Sequence, residues 1–243
     1  MPIDKSKLGT RTESANLIPT FLFKPKKFVD YETALKWQQN WQKHLFEAKK
    51  TAQAIWLLEH PLCYTMGKGS TEKNLLFDPL TSQWPLYKIN RGGEVTCHMP
   101  GQLVAYPVLD LRKYQTDLHW YLRKLEAVLI NVLTNMGLVG KRRKGLTGVW
   151  IEDRKVASIG VSCRRWVTQH GLALNVNCDM EAFRAVVPCG LVNHPMGKIN
   201  DWIPGITVEE VKPLLMQSFK KHFHLDWKKM ESLESSEEFS SYF

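Results

Sequence analysis

Short apolar stretches, cut off by proline or glycine, come in runs along this chain, and the long amphipathic stretches stand between the runs. Strict alternation of strand and helix builds a doubly wound parallel sheet. Runs of strands and then a helix build a mixed sheet with helices packed on it, an α/β (α+β) architecture, and that is the fold class expected here. Ala54–Leu58 reads as a buried strand stopped at Glu59-His60-Pro61, where proline ends sheet pairing. Leu86–Ile89 reads as another strand, and Val95–His98 and Leu103–Val108 flank a Pro100-Gly101 turn that joins them tightly. Gly148–Ile151, Lys155–Val161 and Leu172–Val176 follow, the first two separated by the polar turn Glu152-Asp153-Arg154.

Three helices are expected. Asp30 opens one that runs to about Lys49, with Tyr31, Ala34, Leu35, Trp41 and Leu45 near helical spacing. Thr116 opens a second, to about Met136, striped by Leu118, Leu122, Leu125, Leu129 and Leu133. Thr207-Val208-Glu209-Glu210 is a capping-box sequence for a third, and Pro213, a turn and a half inside it, is expected to kink it. Residues 1–28 read as a poorly ordered lead-in, 29–228 as one domain and 229–243 as a loose serine- and glutamate-rich tail.

Composition narrows the class. The 243 residues are 44% hydrophobic and 23% charged, ordinary for a globular protein that buries its own core. No run approaches the roughly 18 apolar residues of a membrane span. The net charge of +9 favours acidic partners. Cys63, Cys97, Cys163, Cys178 and Cys189 are odd in number, widely spaced and without a C-x-x-C pair, which argues against a disulfide framework or structural zinc. Free thiols point to the cytoplasm.

Four motifs carry chemistry. Val187-Pro188-Cys189-Gly190 sets a thiol on a turn, where a nucleophile can meet a substrate; the alternative is a small buried hydrophobe. In Arg91–Gln102 (RGGEVTCHMPGQ), two glycines let a backbone turn or a ligand come close, and a strand follows. On that strand Glu94, Thr96 and His98 share one face, and Val95, Cys97 and Met99 the other. The bland alternative is a plain hairpin. The spacing fits neither a dinucleotide site nor a P-loop. Lys155 opens the small-residue strand Lys155–Gly160, which can draw its ammonium into a partly desolvated site, although most lysines are solvated charges. His170-Gly171 enters the strand Leu172–Val176, where a histidine is more often structural than catalytic. His60, His98, His170 and His194 lack metal-ligand spacing, so no metal is expected.

In order, these pieces resemble the lipoyl(octanoyl) transferases. The matching residues are Glu59-His60-Pro61, Tyr64-Thr65, Gly67, Arg91-Gly92-Gly93, Thr96, His98 and Pro100-Gly101-Gln102. They continue with Gly148-Val149-Trp150, Arg154-Lys155, Ile159-Gly160, His170–Val176 and Pro188-Cys189-Gly190, across roughly Val29–Phe223. The resemblance implies a fold like the catalytic domains of lipoate and biotin protein ligases. It implies an octanoyl group moved from acyl carrier protein to a lysine of lipoyl domains, those of 2-oxoacid dehydrogenases and the glycine cleavage H protein. It implies Cys189 as the acyl-thioester nucleophile and Lys155 as the group that lowers the thiol pKa and acts as acid and base. It implies acyl-binding positions at Arg91, Gly92, Gly93, Glu94, Val95, Thr96, Cys97 and His98, at Ser158, Ile159 and Gly160, and at Gly171, Leu172 and Ala173. Cys97 departs from relatives that carry an aromatic residue there. No cofactor is expected, since the acyl group arrives on phosphopantetheine, and neither nucleic acid nor membrane is an expected partner; the enzyme is expected to act as a monomer. Lys141-Arg142-Arg143-Lys144 is either a docking patch for the acidic carrier or a solvated loop. The rival readings are an ATP-dependent lipoate or biotin ligase on the same fold, and a basic nucleic-acid-binding protein.

Overall fold

The computed structural model describes residues 17–47, 52–187 and 195–228. An eight-stranded mixed sheet runs through the molecule. Its strands are β1 (Ile18–Phe23), β2 (Gln53–Leu58), β6 (Gln102–Val108), β7 (Gly140–Arg143), β8 (Leu146–Ile151), β9 (Arg154–Arg164), β10 (Val167–Asn175) and β11 (Leu225–Lys228). They lie in the order β11-β1-β2-β6-β10-β9-β8-β7, with β1 parallel to both its neighbours and the other pairs antiparallel. A second sheet of three strands sets β3 (Cys63–Met66) between β4 (Leu86–Lys88) and β5 (Val95–His98).

Strand alternation builds both faces of the large sheet. On β2, Ile55 and Leu57 enter the core under helices α2 (Leu118–Asn135) and α3 (Val208–Phe223), while Ala54, Trp56 and Leu58 enter the core under α1 (Tyr31–Phe46). A strand covered on both sides must be apolar at every position, and β2 reads as an unbroken buried run for that reason. The small sheet has its own core of Tyr64, Met66, Val95, Cys97 and Met99, closed by Cys178 and Phe183.

The expected mixed sheet with packed helices is present, and several details differ. Residues 18–23 are a sheet strand, not part of a loose lead-in; residues 1–16 and 229–243 lie outside the described residues. Val95–His98 and Leu103–Val108 are joined by a tight turn but are not a hairpin. β5 pairs with β3 in the small sheet and β6 with β2 and β10 in the large one, so Pro100-Gly101 steps the chain between sheets. Glu59 Oε2 accepts the Gly101 N–H at 2.7 Å and holds that step.

Asp117, not Thr116, caps α2, accepting from the N–H groups of His119 at 2.7 Å and Trp120 at 3.2 Å. Asp30 stands at the N-cap of α1 but its side chain makes no capping bond. The capping box of α3 is formed, and the helix runs on past Pro213 to Phe223. The basic run is an edge strand and no loop: Lys141–Arg143 lie in β7. Arg142 Nε reaches Glu126 Oε2 on α2 at 2.8 Å, and Arg143 pairs with Asp153. Among the described residues, no helix is long and apolar enough to cross a membrane.

Candidate active site

The two sheets diverge where β5 faces β9 and β10, and an open cleft lies between them. The small sheet contributes Val95, Thr96 and His98, with Glu94 from the loop before β5; the large sheet contributes Ser158, Ile159 and Gly160 from β9 and Gly171, Leu172 and Ala173 from β10. Arg91 and Gly93 close one end, and Tyr31, Tyr106 and His170 add polar tips to the wall.

The Arg91-Gly92-Gly93 loop is stitched to both sheets. Arg91 is buried, and its Nη2 donates to the carbonyl and the hydroxyl of Thr65, both at 2.9 Å. The Gly92 N–H donates to Val161 O on β9 at 2.9 Å. A Cβ on Gly160 would stand 2.9 Å from Arg91 Cδ and 3.1 Å from Gly92 O, so only glycine lets β9 pass the loop this closely. Thr96 and His98 line the cleft as their shared face requires, whereas Cys97 points away. Cys97 is fully buried in the small sheet's core. Gly92 does not line the cleft either; it anchors the loop.

Beneath the cleft is a layer of aromatic and imidazole groups. His60 donates from Nδ1 to Val29 O and accepts at Nε2 from Tyr106 OH at 2.8 Å. Tyr31 OH lies 3.4 Å from His170 Nδ1. The His60 and His98 rings are 5.4 Å apart, and Tyr31 stacks on His98 at 5.8 Å. Burial keeps all three imidazoles neutral. It pulls His60 and His170 down to about 4, and His98 to about 3 with help from its imidazole neighbour His60. Tyr31 and Tyr106 are raised by the same burial. The sequence had shown these tyrosines only as members of an apolar stripe and a buried strand; a buried phenol's polar end becomes visible only once its partner is known.

Lys155 is the second residue of β9 and is buried to 3% exposure. Its Nζ lies 5.3 Å from the centre of the Trp150 ring. Its backbone joins Pro195–Gly197: the Lys155 N–H donates to Pro195 O at 2.9 Å, and Lys155 O accepts from Gly197 N at 3.0 Å. Cys189 lies outside the described residues, but both ends of the stretch that carries it are fixed to the site. Before it, the Val187 N–H donates to Asn74 O at 2.8 Å, and Asn74 Nδ2 donates to Glu94 on the cleft wall at 3.0 Å. After it come the residues paired with Lys155. Burial pushes Cys63 and Cys178 up to about 12 and raises Cys163.

Residues 30–220 match the lipoyl protein ligase A/B catalytic domain family. An octanoyltransferase of Prochlorococcus marinus (strain MIT 9313) is 59% identical over 241 residues, 99% of each chain.

The chain belongs to the octanoyltransferase family.

A second octanoyltransferase, from Synechococcus sp. (strain CC9902), is 53% identical over 225 residues, 93% of this chain and 98% of its own. Among solved structures, lipoate-protein ligase A bound with ATP superposes with a TM-score of 0.70 over 93% of each chain, at 14% identity. A putative lipoate protein ligase from T. acidophilum gives 0.67 over 93% of each chain, also at 14% identity. The expected likeness to lipoate ligases therefore holds at the level of fold. In this octanoyltransferase family member a wider groove adjoins the cleft at His170, lined by Lys43, Lys88 and Arg164.

Proposed function

We propose that the chain transfers an octanoyl group from acyl carrier protein to a lysine of lipoyl domains, through a thioester on Cys189. The observation that carries this reading is the buried lysine, Lys155, hydrogen-bonded through its backbone to the residues that follow the Cys189 stretch. An unperturbed thiol of pKa about 8.5 is only a few per cent thiolate at pH 7. An ammonium that lowers it by about 1.5 units, roughly 2 kcal/mol of interaction, brings it near half.

In the first half-reaction the Cys189 thiolate attacks the thioester carbonyl. A new C–S bond forms, the bond to phosphopantetheine breaks, and Lys155 delivers the proton to the departing thiolate. In the second, the acceptor amine attacks the acyl-enzyme, a C–N bond forms and the C–S bond breaks. Lys155 then carries the amine's proton to the Cys189 sulfur. One thioester is exchanged for another and then for an amide, so the balance requires neither ATP nor a cofactor. Ile159, Leu172 and Ala173 supply an apolar wall for the acyl chain. The groove of Lys43, Lys88 and Arg164 beside the cleft, with Lys88 paired to Glu72, offers an acidic carrier a basic face next to the site.

The test is the intact mass after mixing with octanoyl acyl carrier protein in the absence of ATP. An octanoyl adduct is expected, and it should vanish in Cys189→Ala. Absence of the adduct together with strict dependence on ATP would establish the ligase reading instead. Salt-sensitive retention on nucleic acid without any acyl transfer would favour the binding protein.

A further inference from the structure

A row of side-chain amides runs from the cleft to the segment 195–197 that bridges to Lys155, and its direction is set by backbone carbonyls. Asn175 Nδ2 lies 2.9 Å from Gly197 O, a carbonyl that can only accept. The amide of Asn175 is therefore fixed, and its Oδ1 accepts from Gln102 Nε2 at 3.0 Å. The same Gln102 nitrogen also donates to Cys97 O at 3.3 Å, which fixes the second amide independently. Gln102 Oε1 is left facing His98 Nδ1 at 2.8 Å, so that ring nitrogen carries the hydrogen. A neutral imidazole has one N–H, and the Nε2 of His98 is therefore a bare acceptor. All four residues of the row, His98, Gln102, Asn175 and Cys97, are buried, and His98 lines the cleft. Among the described residues no hydrogen-bond partner reaches Nε2.

Building on the transfer reaction above, we infer that His98 Nε2 accepts a hydrogen bond from the attacking amine of the acceptor lysine, and that Gln102 and Asn175 are positioning residues that hold His98 in this tautomer. The acyl chain and the thioester carbonyl have no hydrogen to donate. An acceptor lone pair in the cleft therefore serves a nucleophile that carries N–H bonds. His98 takes no net proton. It orients the amine's lone pair toward the carbonyl, while the displaced proton travels by Lys155 to the departing sulfur. Among the described residues, His60 from the loop after β2, Arg91 from the loop before β5 and His170 on β10 oppose protonation of the ring, Tyr31 on α1 stacks on it, and the hydrogen bond from Nδ1 to Gln102 on β6 works the other way without outweighing burial. Gly197 sits at the far end of the row, two residues after Pro195, so the same amides tie the cleft to the segment that bridges to Lys155.

Two measurements test this. Nitrogen NMR of the ligand-free protein should show His98 with Nδ1–H and a bare Nε2 at neutral pH; an Nε2–H tautomer or an imidazolium overturns the proposal even if every variant is active. In Gln102→Glu, a carboxylate faces Nδ1 and favours the imidazolium. The rate of amine transfer from preformed acyl-enzyme, relative to the rate of acylation, should fall about tenfold at pH 7, the worth of one hydrogen bond. That loss should recover as pH rises and the imidazolium deprotonates. An equal, pH-independent loss in both half-reactions would mark a merely structural role. A loss confined to acylation would move the donor to the pantetheine side; either result overturns the proposal. If the native protein forms no acyl-enzyme, the transfer reaction fails and this role for His98 fails with it, whatever the tautomer.

Discussion

Gly148 adopts φ 134°, and a Cβ there would stand 2.5 Å from Ala157 O and 2.7 Å from Lys155 Cε. The missing side chain is what lets the lysine stem lie across β8 toward the Trp150 ring. Its N–H is also used, donating to the fully buried Glu126 at 3.2 Å. Gly148→Ala is therefore expected to displace Lys155 and strain the strand, at about 1–3 kcal/mol. Lys155→Ala should slow octanoyl transfer with less loss of stability. Thermal melts and single-turnover transfer rates on both variants check this. A Gly148→Ala protein with native turnover would show that the position of the Lys155 stem does not matter. The residue types of this corner were legible in the sequence: Gly148-Val149-Trp150 and Arg154-Lys155 were both picked out. Their mutual contact was not, because it depends on the bulge where β8 and β9 shift register between Val149 and Trp150.

Elements reveal a different balance. α2 holds Glu126 at 0% exposure, and the carboxylate draws Arg123 at 2.7 Å and Arg142 at 2.8 Å to the edge of the sheet. A buried carboxylate that loses one cationic partner is left undercompensated, so Arg142→Ala should cost about 1–3 kcal/mol, as for a hydrogen bond to a charged group. Arg142→Lys should recover part of that, since an ammonium replaces the charge but not the planar fork. Urea unfolding of the pair measures it; an Arg142→Ala midpoint equal to the native one would mean that the ion pair adds nothing. The strip Lys141–Lys144 reads in sequence as a charge run because its apolar content is nil. Its first three residues, Lys141–Arg143, join strand β7 because Glu126 and the edge of β8 supply partners. β1 was hidden in a similar way. Its partners are β2 and β11, and β11 comes from the opposite end of the chain, so no local pattern announces the pairing.

Across the whole molecule, the imidazole layer makes stability depend on pH. His60 and His170 fall from 6.5 to about 4 on folding, and His98 to about 3. Between pH 6.5 and about 4 the unfolded chain binds more protons than the folded one, so stability is full above pH 6.5 and is lost as pH falls through that window. Each imidazole contributes a slope of up to roughly 1.4 kcal/mol per pH unit. Melts across pH 4 to 7.5 should show this loss, and His60→Gln should flatten it; a stability curve level down to pH 5 would contradict the neutral layer. The placement of that layer is a consequence of two sheets meeting, since His60, His98 and His170 come from a loop, the small sheet and the large sheet.

Apolar periodicity and capping residues determined the mixed sheet, the three helices and the motifs of the family, because these are written in neighbouring residues: β2 as an unbroken apolar run, α3 by its capping box, Thr96 and His98 by alternation. Tertiary structure alone decided that β5 and β6 part into separate sheets, that Cys97 turns away from the cleft, and that two carbonyls, Gly197 O and Cys97 O, orient two amides and a histidine ring. Alternation tells which residues share a face. Which face meets a substrate, and which atom of a ring carries its proton, is set by partners far along the chain, and these come together only when both sheets have closed over the cleft.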